Sequence, residues 1–308
     1  MVQKNSIKPK IIIICGATAS GKSDLAIECA KLLDTEIISA DSMYIYKDLN
    51  IGTAKPTFEE MQGVKHHLID VVSPKDNFTV SDYKNLAEPI IKELISKDKI
   101  PIICGGTGFY INSILYDLSY GKGEGNLEVR NKYKNLAEEK GNEYVYEILS
   151  RLDPETANKL HYNDLKRVIR ALEIYESGVK KSDIKDEMTP KYDYKAYSIN
   201  HQREVLYKRI NTRVDKMIEN GLIDEIKCLL KNGINKNHQC MQAIGYKEIL
   251  DYFDGNYTLE QAVDFIKLNT RHYAKRQITF FKKLSITNLE PNDSKLLAKK
   301  IVEGLNND

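Results

Sequence analysis

The 308-residue chain is poor in the features that mark membrane, secreted or metal-bound proteins. No apolar run approaches the ~20 residues of a spanning helix, and no secretory leader pattern opens the sequence. Its five cysteines (Cys15, Cys29, Cys104, Cys228 and Cys240) form no C-x-x-C pair and lie mostly in apolar runs. That excludes a zinc ribbon and a disulfide frame, and it leads us to expect reduced thiols in a cytoplasmic protein with no membrane partner. Repeats and low-complexity tracts are also missing. Lysine and arginine number 46 against 44 aspartates and glutamates, so net charge announces no polyanionic partner and only the placement of charge can.

What is present begins at Ile11. Four consecutive isoleucines suit a strand buried on both faces. They run into Gly16-Ala17-Thr18-Ala19-Ser20-Gly21-Lys22-Ser23, and a helical pattern follows through Leu25, Ala26, Cys29, Ala30 and Leu33. Strand, glycine-bounded turn and helix N-terminus form the phosphate-binding P-loop. The glycines allow a turn that aims backbone N–H groups at phosphate oxygens. Lys22 adds a mobile positive charge, and Ser23 is placed to ligate a Mg²⁺ bridging those oxygens. A di- or triphosphate ligand is expected.

A second strand, Thr35–Ser42, ends in Asp41, at the sheet edge where open α/β sheets bind ligands. Local sequence alone leaves Asp41 equally readable as a turn or N-cap residue. The His66-His67 pair reads as packed or backbone-bonded side chains, because neighbours on a strand face opposite ways. Leu68-Ile69-Asp70 is too short a run to establish the metal-assisting aspartate of nucleotide hydrolases. Ser81–Lys97 is an amphipathic helix and Lys99–Cys104 another buried strand, opening into Gly105-Gly106-Thr107-Gly108. Thr107 therefore meets the same crevice. The alternation predicts a doubly wound parallel α/β core.

From about Ser119 the texture changes. Tyr120–Asn126 is glycine-rich, and Leu127–Lys140, Asn142–Arg151, Pro154–Leu160 and Asn163–Ser177 read as charged helices. We expect a helical insertion domain over 119–197 within a P-loop α/β core of 1–118 and 198–308. Ala196–Asn200 reads as a returning strand, Arg203–Leu230 as a long helix with a break at Asn220-Gly221, and Leu259–Leu284 as the final helix. Basic residues crowd three helices: Lys166, Arg167 and Arg170; Arg203, Lys208, Arg209, Arg213 and Lys216; Arg271, Lys275, Arg276, Lys282 and Lys283. Interleaved with Tyr162, Tyr207, Tyr246 and Tyr273, they offer phosphate neutralisation with stacking surfaces, the pattern of a nucleic-acid channel.

With these segments in hand, the chain resembles the tRNA dimethylallyltransferase (tRNA isopentenyltransferase) family over nearly its whole length. The resemblance rests on Gly16–Ser23, Ile38–Met43, Ile51–Pro56, His66–Asp70, Gly105–Tyr110, Asn163–Glu173, Gly245–Glu248 and Ala274–Thr279. It departs from the family at Ala17 (usually Pro), at Tyr44 (often Gln, associated with the target base) and at Phe280 (often Trp). The resemblance implies a P-loop NTPase-like fold and transfer of a dimethylallyl group from dimethylallyl diphosphate to N6 of adenosine 37, beside the tRNA anticodon. It further implies that Gly16–Ser23 cradle the leaving diphosphate with Mg²⁺ on Ser23, and that Arg213 neutralises the growing charge. Asp41 would be the base, and Thr107 would sit where donor and acceptor meet. Ser42, Met43, Tyr44, Arg130, Lys166, Arg167, Arg170, Gln242, Gly245, Tyr246 and Lys247 would join Asp41 and Thr107 in holding the anticodon stem-loop. A monomer suffices to dock one tRNA. The competing readings are a P-loop nucleoside or small-molecule kinase, and an RNA-binding nucleotide switch without transfer chemistry.

Overall fold

The computed structural model describes residues 8–119, 126–185 and 188–306. The chain opens with strand β1 (Lys10–Cys15), helix α1 (Lys22–Leu32), β2 (Ile37–Ser39), β3 (His66–His67), α2 (Val80–Ser96), β4 (Ile102–Gly105) and α3 (Gly108–Leu115). Four helices follow: α4 (Leu127–Lys140), α5 (Asn142–Leu152), α6 (Pro154–Ala157) and α7 (Leu165–Glu176). Then come β5 (Asp193–Ile199), α8 (Arg203–Glu219), α9 (Leu222–Lys231), α10 (Tyr246–Phe253), α11 (Leu259–Phe281), β6 (Thr287–Leu289) and α12 (Ser294–Asn306).

The six strands form one parallel sheet in the order β3-β2-β4-β1-β5-β6. β1 is central, and its isoleucines are fully buried because helices cover both faces. Ile12, Ile14, Ile37 and Ile102 share one core with Leu25, Ala26 and Cys29 of α1 and with Leu297, Ala298, Ile301 and Leu305 of α12. Strand alternation sends Ile11, Ile13 and Ile103 to the opposite face. Every connection is a crossover, so the turns after β1, β2, β4 and β5 all emerge along one sheet edge, and strand order reverses beside β1.

Sequence and structure differ at two places. The helical block is shorter than 119–197, because β5 already pairs with β1 from Lys10↔Asp193 onward; Asp193–Tyr197 are sheet, not insertion. The compact helical unit is Tyr116–Thr189, and the remainder of the chain forms the other unit. Leu259–Phe281 is not the last helix: β6 and α12 follow, and Asp293 caps α12 by accepting the N–H groups of Lys295 and Leu296 at 3.0 and 3.2 Å. The Asn220-Gly221 break is present, with Gly221 at φ 96° between α8 and α9. The glycine-rich stretch Tyr120–Gly125 lies outside the described residues.

Within the helical unit, Tyr133, Val145, Leu149, Val168 and Leu172 form a core of their own. At its edge the buried Glu173 carboxylate accepts the Asn126 N–H at 2.6 Å, Arg130 Nε at 2.9 Å and Arg170 Nη1 at 2.6 Å. Burial alone would raise the Glu173 pKa, but these donors outweigh it and hold it below the usual 4.5. The stabilisation is therefore complete above pH 4.5 and fades as pH falls through the lowered value. Glu173→Gln should cost about 2 kcal/mol, read as lost hydrogen-exchange protection in α4 and α7, and should flatten the acid limb of that protection.

Candidate functional site

The P-loop turns its carbonyls outward and its helix N-terminus inward. Lys22 Nζ donates to Ala17 O at 3.3 Å, Arg209 Nε to Ala19 O at 2.7 Å and His201 Nε2 to Ser20 O at 2.8 Å. Gly21, at φ 93°, is the N-cap of α1 and brings no capping side chain, so the first-turn N–H groups are available to an anion. Ala19 to Ser23 line a cavity of about 860 Å³ together with Tyr44, Lys208, Arg209, Thr212, Arg213 and Lys216. Five cations, Lys22 among them, against the carboxylates of Asp24 and Glu60 leave this helix N-terminus with a net positive surround suited to an anion. Burial, assisted by the Arg213 charge, pushes the Lys22 ammonium below its usual 10.5, with the Asp41 charge opposing.

Three of the eight P-loop residues lie elsewhere. Gly16 and Ala17 border a separate cavity of about 330 Å³ behind the loop, with Ser198, Asn200, His201 and Lys282. Thr18 faces the opposite side, where its N–H is already taken by Gln277 Oε1 at 2.8 Å. Gln277 Nε2 in turn donates to Gly106 O at 3.0 Å, so one amide clamps the turns after β1 and β4. A Cβ on Gly106 would lie 2.1 Å from that nitrogen, so a side chain here would displace the Gln277 amide from the clamp.

Beyond the clamp is a cavity of about 340 Å³ lined by Thr18, Asp41, Ser42, Met43, Arg213, Gln242, Lys247, Tyr273 and Gln277, among others. Asp41 Oδ1 accepts the Met43 N–H at 3.0 Å, the turn role that the sequence allowed, while Oδ2 makes no hydrogen bond among the described residues. Thr107 Oγ1 accepts the Ser42 N–H at 3.0 Å and sits 3.3 Å from Ser42 Oγ, fixing the turn after β2 to that after β4. Tyr273 meets Thr107 and Gln277; burial and the Asp41 charge push its phenol up to about 12, so it remains a neutral donor. Burial and Asp41 likewise raise Tyr44.

Arg213 joins the two cavities, since it borders both. Its Nη1 donates to Thr18 Oγ1 and its Nη2 to Ala54 O, each at 3.1 Å, and Tyr44 OH donates to the same carbonyl at 2.8 Å. Tyr44, expected among the residues that hold tRNA, lines the P-loop cavity and also borders a small one with Lys22, Ser23 and Asp41.

Other expected site residues are engaged within the protein. Tyr246 is fully buried; its hydroxyl donates to Glu225 Oε1 at 2.7 Å, so it packs rather than contacts a ligand. Gly245 caps α10 through its N–H to Glu248 Oε2 at 2.8 Å. Gln242 Nε2 donates to Lys236 O at 2.6 Å. In the helical unit Arg130 and Arg170 are bound to Glu173, Arg167 pairs with Asp164 at 3.2 Å and Lys166 is exposed. His66 Nδ1 bonds Val64 O at 2.8 Å and His67 Nε2 bonds Glu36 Oε2 at 2.6 Å, the packed roles expected. Asp70 pairs with buried Lys55, which also donates to Tyr46 O and Asn50 Oδ1. It is thus a loop clasp and not a metal aspartate. No cluster of three or more His, Cys, Asp or Glu suited to a metal occurs among the described residues.

Sequence reading passed over Glu225. Its carboxylate accepts the N–H groups of Asn50, Ile51 and Gly52 at 2.8, 2.7 and 3.1 Å in addition to the Tyr246 hydroxyl. The loop so anchored presents Ala54 O to Arg213. Nothing local to α9 marks this glutamate, because its three main-chain donors lie over 170 positions away and the Tyr246 hydroxyl 21.

A family model described as IPP transferase matches residues 44–284. The tRNA dimethylallyltransferase of Caldanaerobacter subterraneus subsp. tengcongensis is 51% identical over 279 residues, 89% of each chain. The crystal structure of a tRNA isopentenylpyrophosphate transferase from Staphylococcus epidermidis is 40% identical, with TM-score 0.73 over 97% of this chain and 99% of that one. A eukaryotic dimethylallyltransferase acting on tRNA gives 32% identity and TM-score 0.80 over 92% of this chain and 74% of that one.

Glu225→Ala should weaken inorganic diphosphate binding about tenfold, the loss of roughly one charge-assisted hydrogen bond. Calorimetry measures it, with circular dichroism as the folding control; wild-type affinity in the variant would break the link from Glu225 to Arg213.

Proposed function

This chain belongs to the IPP transferase family, and on that premise we propose that its two cavities divide a prenyl transfer between them, diphosphate on one side and base on the other. The reaction is transfer of a dimethylallyl group to tRNA, and the kinase alternative is not favoured. In our reading the donor is dimethylallyl diphosphate and the acceptor is N6 of adenosine 37 in the anticodon loop. The observation that carries it is Arg213, which borders both the P-loop cavity and the Asp41 cavity.

Ala19–Ser23 and the α1 N-terminus hold the diphosphate, with Lys22, Lys208 and Arg209 around it. The adenine leaves the loop stack and enters the cavity at Asp41. N6 is a poor nucleophile because its lone pair is delocalised into the ring. Asp41 Oδ2 accepts a hydrogen bond from the amine, orients it, and takes its proton as N6 bonds to C1 of the allyl group. The C1–O bond breaks, and its electron pair leaves with the diphosphate. Arg213 meets the charge that grows on the departing oxygen, where preorganised donors act most strongly. Thr107 and Tyr273 supply neutral hydroxyls beside Asp41.

A Mg²⁺ fits this arrangement. Mg²⁺ needs few protein ligands, and the Ser23 hydroxyl at the cavity wall would be the one to hold it. When bound it would neutralise diphosphate charge. The basic face of α7, with Lys166 and Arg167, and Arg130 of α4 contact the tRNA backbone in this reading. The five free thiols support a cytoplasmic protein.

Incubation with unmodified tRNA, Mg²⁺ and radiolabelled dimethylallyl diphosphate, followed by RNA digestion, should place label on adenosine 37; label on no nucleoside overturns the reading. Asp41→Ala should keep tRNA binding and lower kcat by about 10²–10⁴-fold, and unchanged turnover would remove Asp41 from the chemistry. Lys22→Ala should raise KM for the donor without raising KM for tRNA.

A further inference from the structure

Thr107 is followed by a feature that the reaction above leaves unused. Phe109, in the first turn of α3, is 61% exposed, an unusual position for a phenylalanine next to a reactive centre. It is held and not loose: its ring packs edge-on against Phe280 of α11, with centroids 5.5 Å apart and planes at 61°, and Phe280 is backed by buried Phe281 at 5.7 Å. Gly108 lets the pair form, since a Cβ there would meet Phe280 at 2.2 Å.

The pair is in register with the acceptor cavity. Tyr273 lines that cavity, and Phe280 lies seven residues further along α11, on the same helix face. The separation along the axis is about 10 Å. Arg276 and Lys283 flank Phe280 at i−4 and i+3; both are exposed, and neither has a carboxylate partner among the described residues. A rigid, solvent-facing aromatic ring whose brace is flanked by cations free of carboxylates, Arg276 lying over the Tyr273 ring at 5.7 Å, suits a planar base on a phosphate backbone. An apolar protein surface would leave these cations without counter-charge.

We propose that Phe109, braced by Phe280, is a stacking platform for an unpaired nucleobase flanking the adenosine that enters the Asp41 cavity. The proposal rests on the reading of the reaction given above. It makes Phe109 a binding residue with no part in bond making.

The test is a double-mutant cycle between protein and RNA. Phe109→Ala and Phe109→Tyr are compared with wild type for binding to unmodified tRNA, and to the same tRNA carrying one abasic nucleotide 5′ or 3′ of the reacting adenosine. Phe109→Ala should weaken binding of intact tRNA about tenfold, the usual loss when one stacked base loses its ring. The same substitution should cost almost nothing with the tRNA that lacks the contacted base, and Phe109→Tyr should restore affinity. KM for dimethylallyl diphosphate should not move. An equal loss on intact and abasic tRNAs, or no loss on either, overturns the platform; an equal loss is what a merely structural or protein-docking role would give. Failure of wild-type enzyme to prenylate tRNA at all would instead overturn the underlying reaction.

Discussion

The site depends on a single side-chain amide. Gln277, 4% exposed, accepts from the P-loop at Thr18 N and donates to the β4 turn at Gly106 O, so α11 fastens two of the turns that emerge from the sheet edge. Both halves of the amide are used, and a buried amide left half-paired would be strongly unfavourable. The clamp also sets the division of labour. Because Thr18 N–H is occupied, it is withdrawn from the donors of the turn, and the Thr18 side chain is turned toward Arg213 and the Asp41 cavity. The P-loop cavity is accordingly lined from Ala19 onward.

Charge then couples the two sides. Lys22, Tyr44 and Tyr273 each respond to Asp41, and Lys22 responds to Arg213. The Asp41 carboxylate and the P-loop lysine thus share one field, with the Arg213–Ala54–Tyr44 seam beside them. In this desolvated setting a change of charge at either end is felt at the other.

Much of this was legible in the sequence because it is local. The isoleucine run, the Gly16–Ser23 turn, Asp41 at a strand end and the glycines around Thr107 all act over a few residues. The parallel sheet then brings them together whatever the intervening chain does. Position along the chain was less informative where the partner is remote. Gly245–Lys247 reads as a binding motif, yet Tyr246 is core and its hydroxyl serves Glu225, a contact that no short window contains. Tyr44 was placed with its sequence neighbours Ser42 and Met43, but its side chain faces the other cavity. Arg130 and Arg170 look like free cations until the fold brings both to Glu173. The overlooked α12 has clear periodicity in Leu297, Ala298, Ile301 and Leu305, and its role as cover for α1 explains why that apolar stripe exists.

The carbonyl of Ala54 accepts from both Arg213 and Tyr44, and a main-chain oxygen is present whichever residue occupies position 54. No substitution at that position can delete the acceptor. Variation can act on the seam only by changing a donor or by moving the loop, and the loop is pinned by Glu225 from another helix. The geometry between the cavities is thus inherited through the anchor, and the loop is held to its path as well by Gly52, which has no room for a Cβ beside Tyr246, and by buried Lys55.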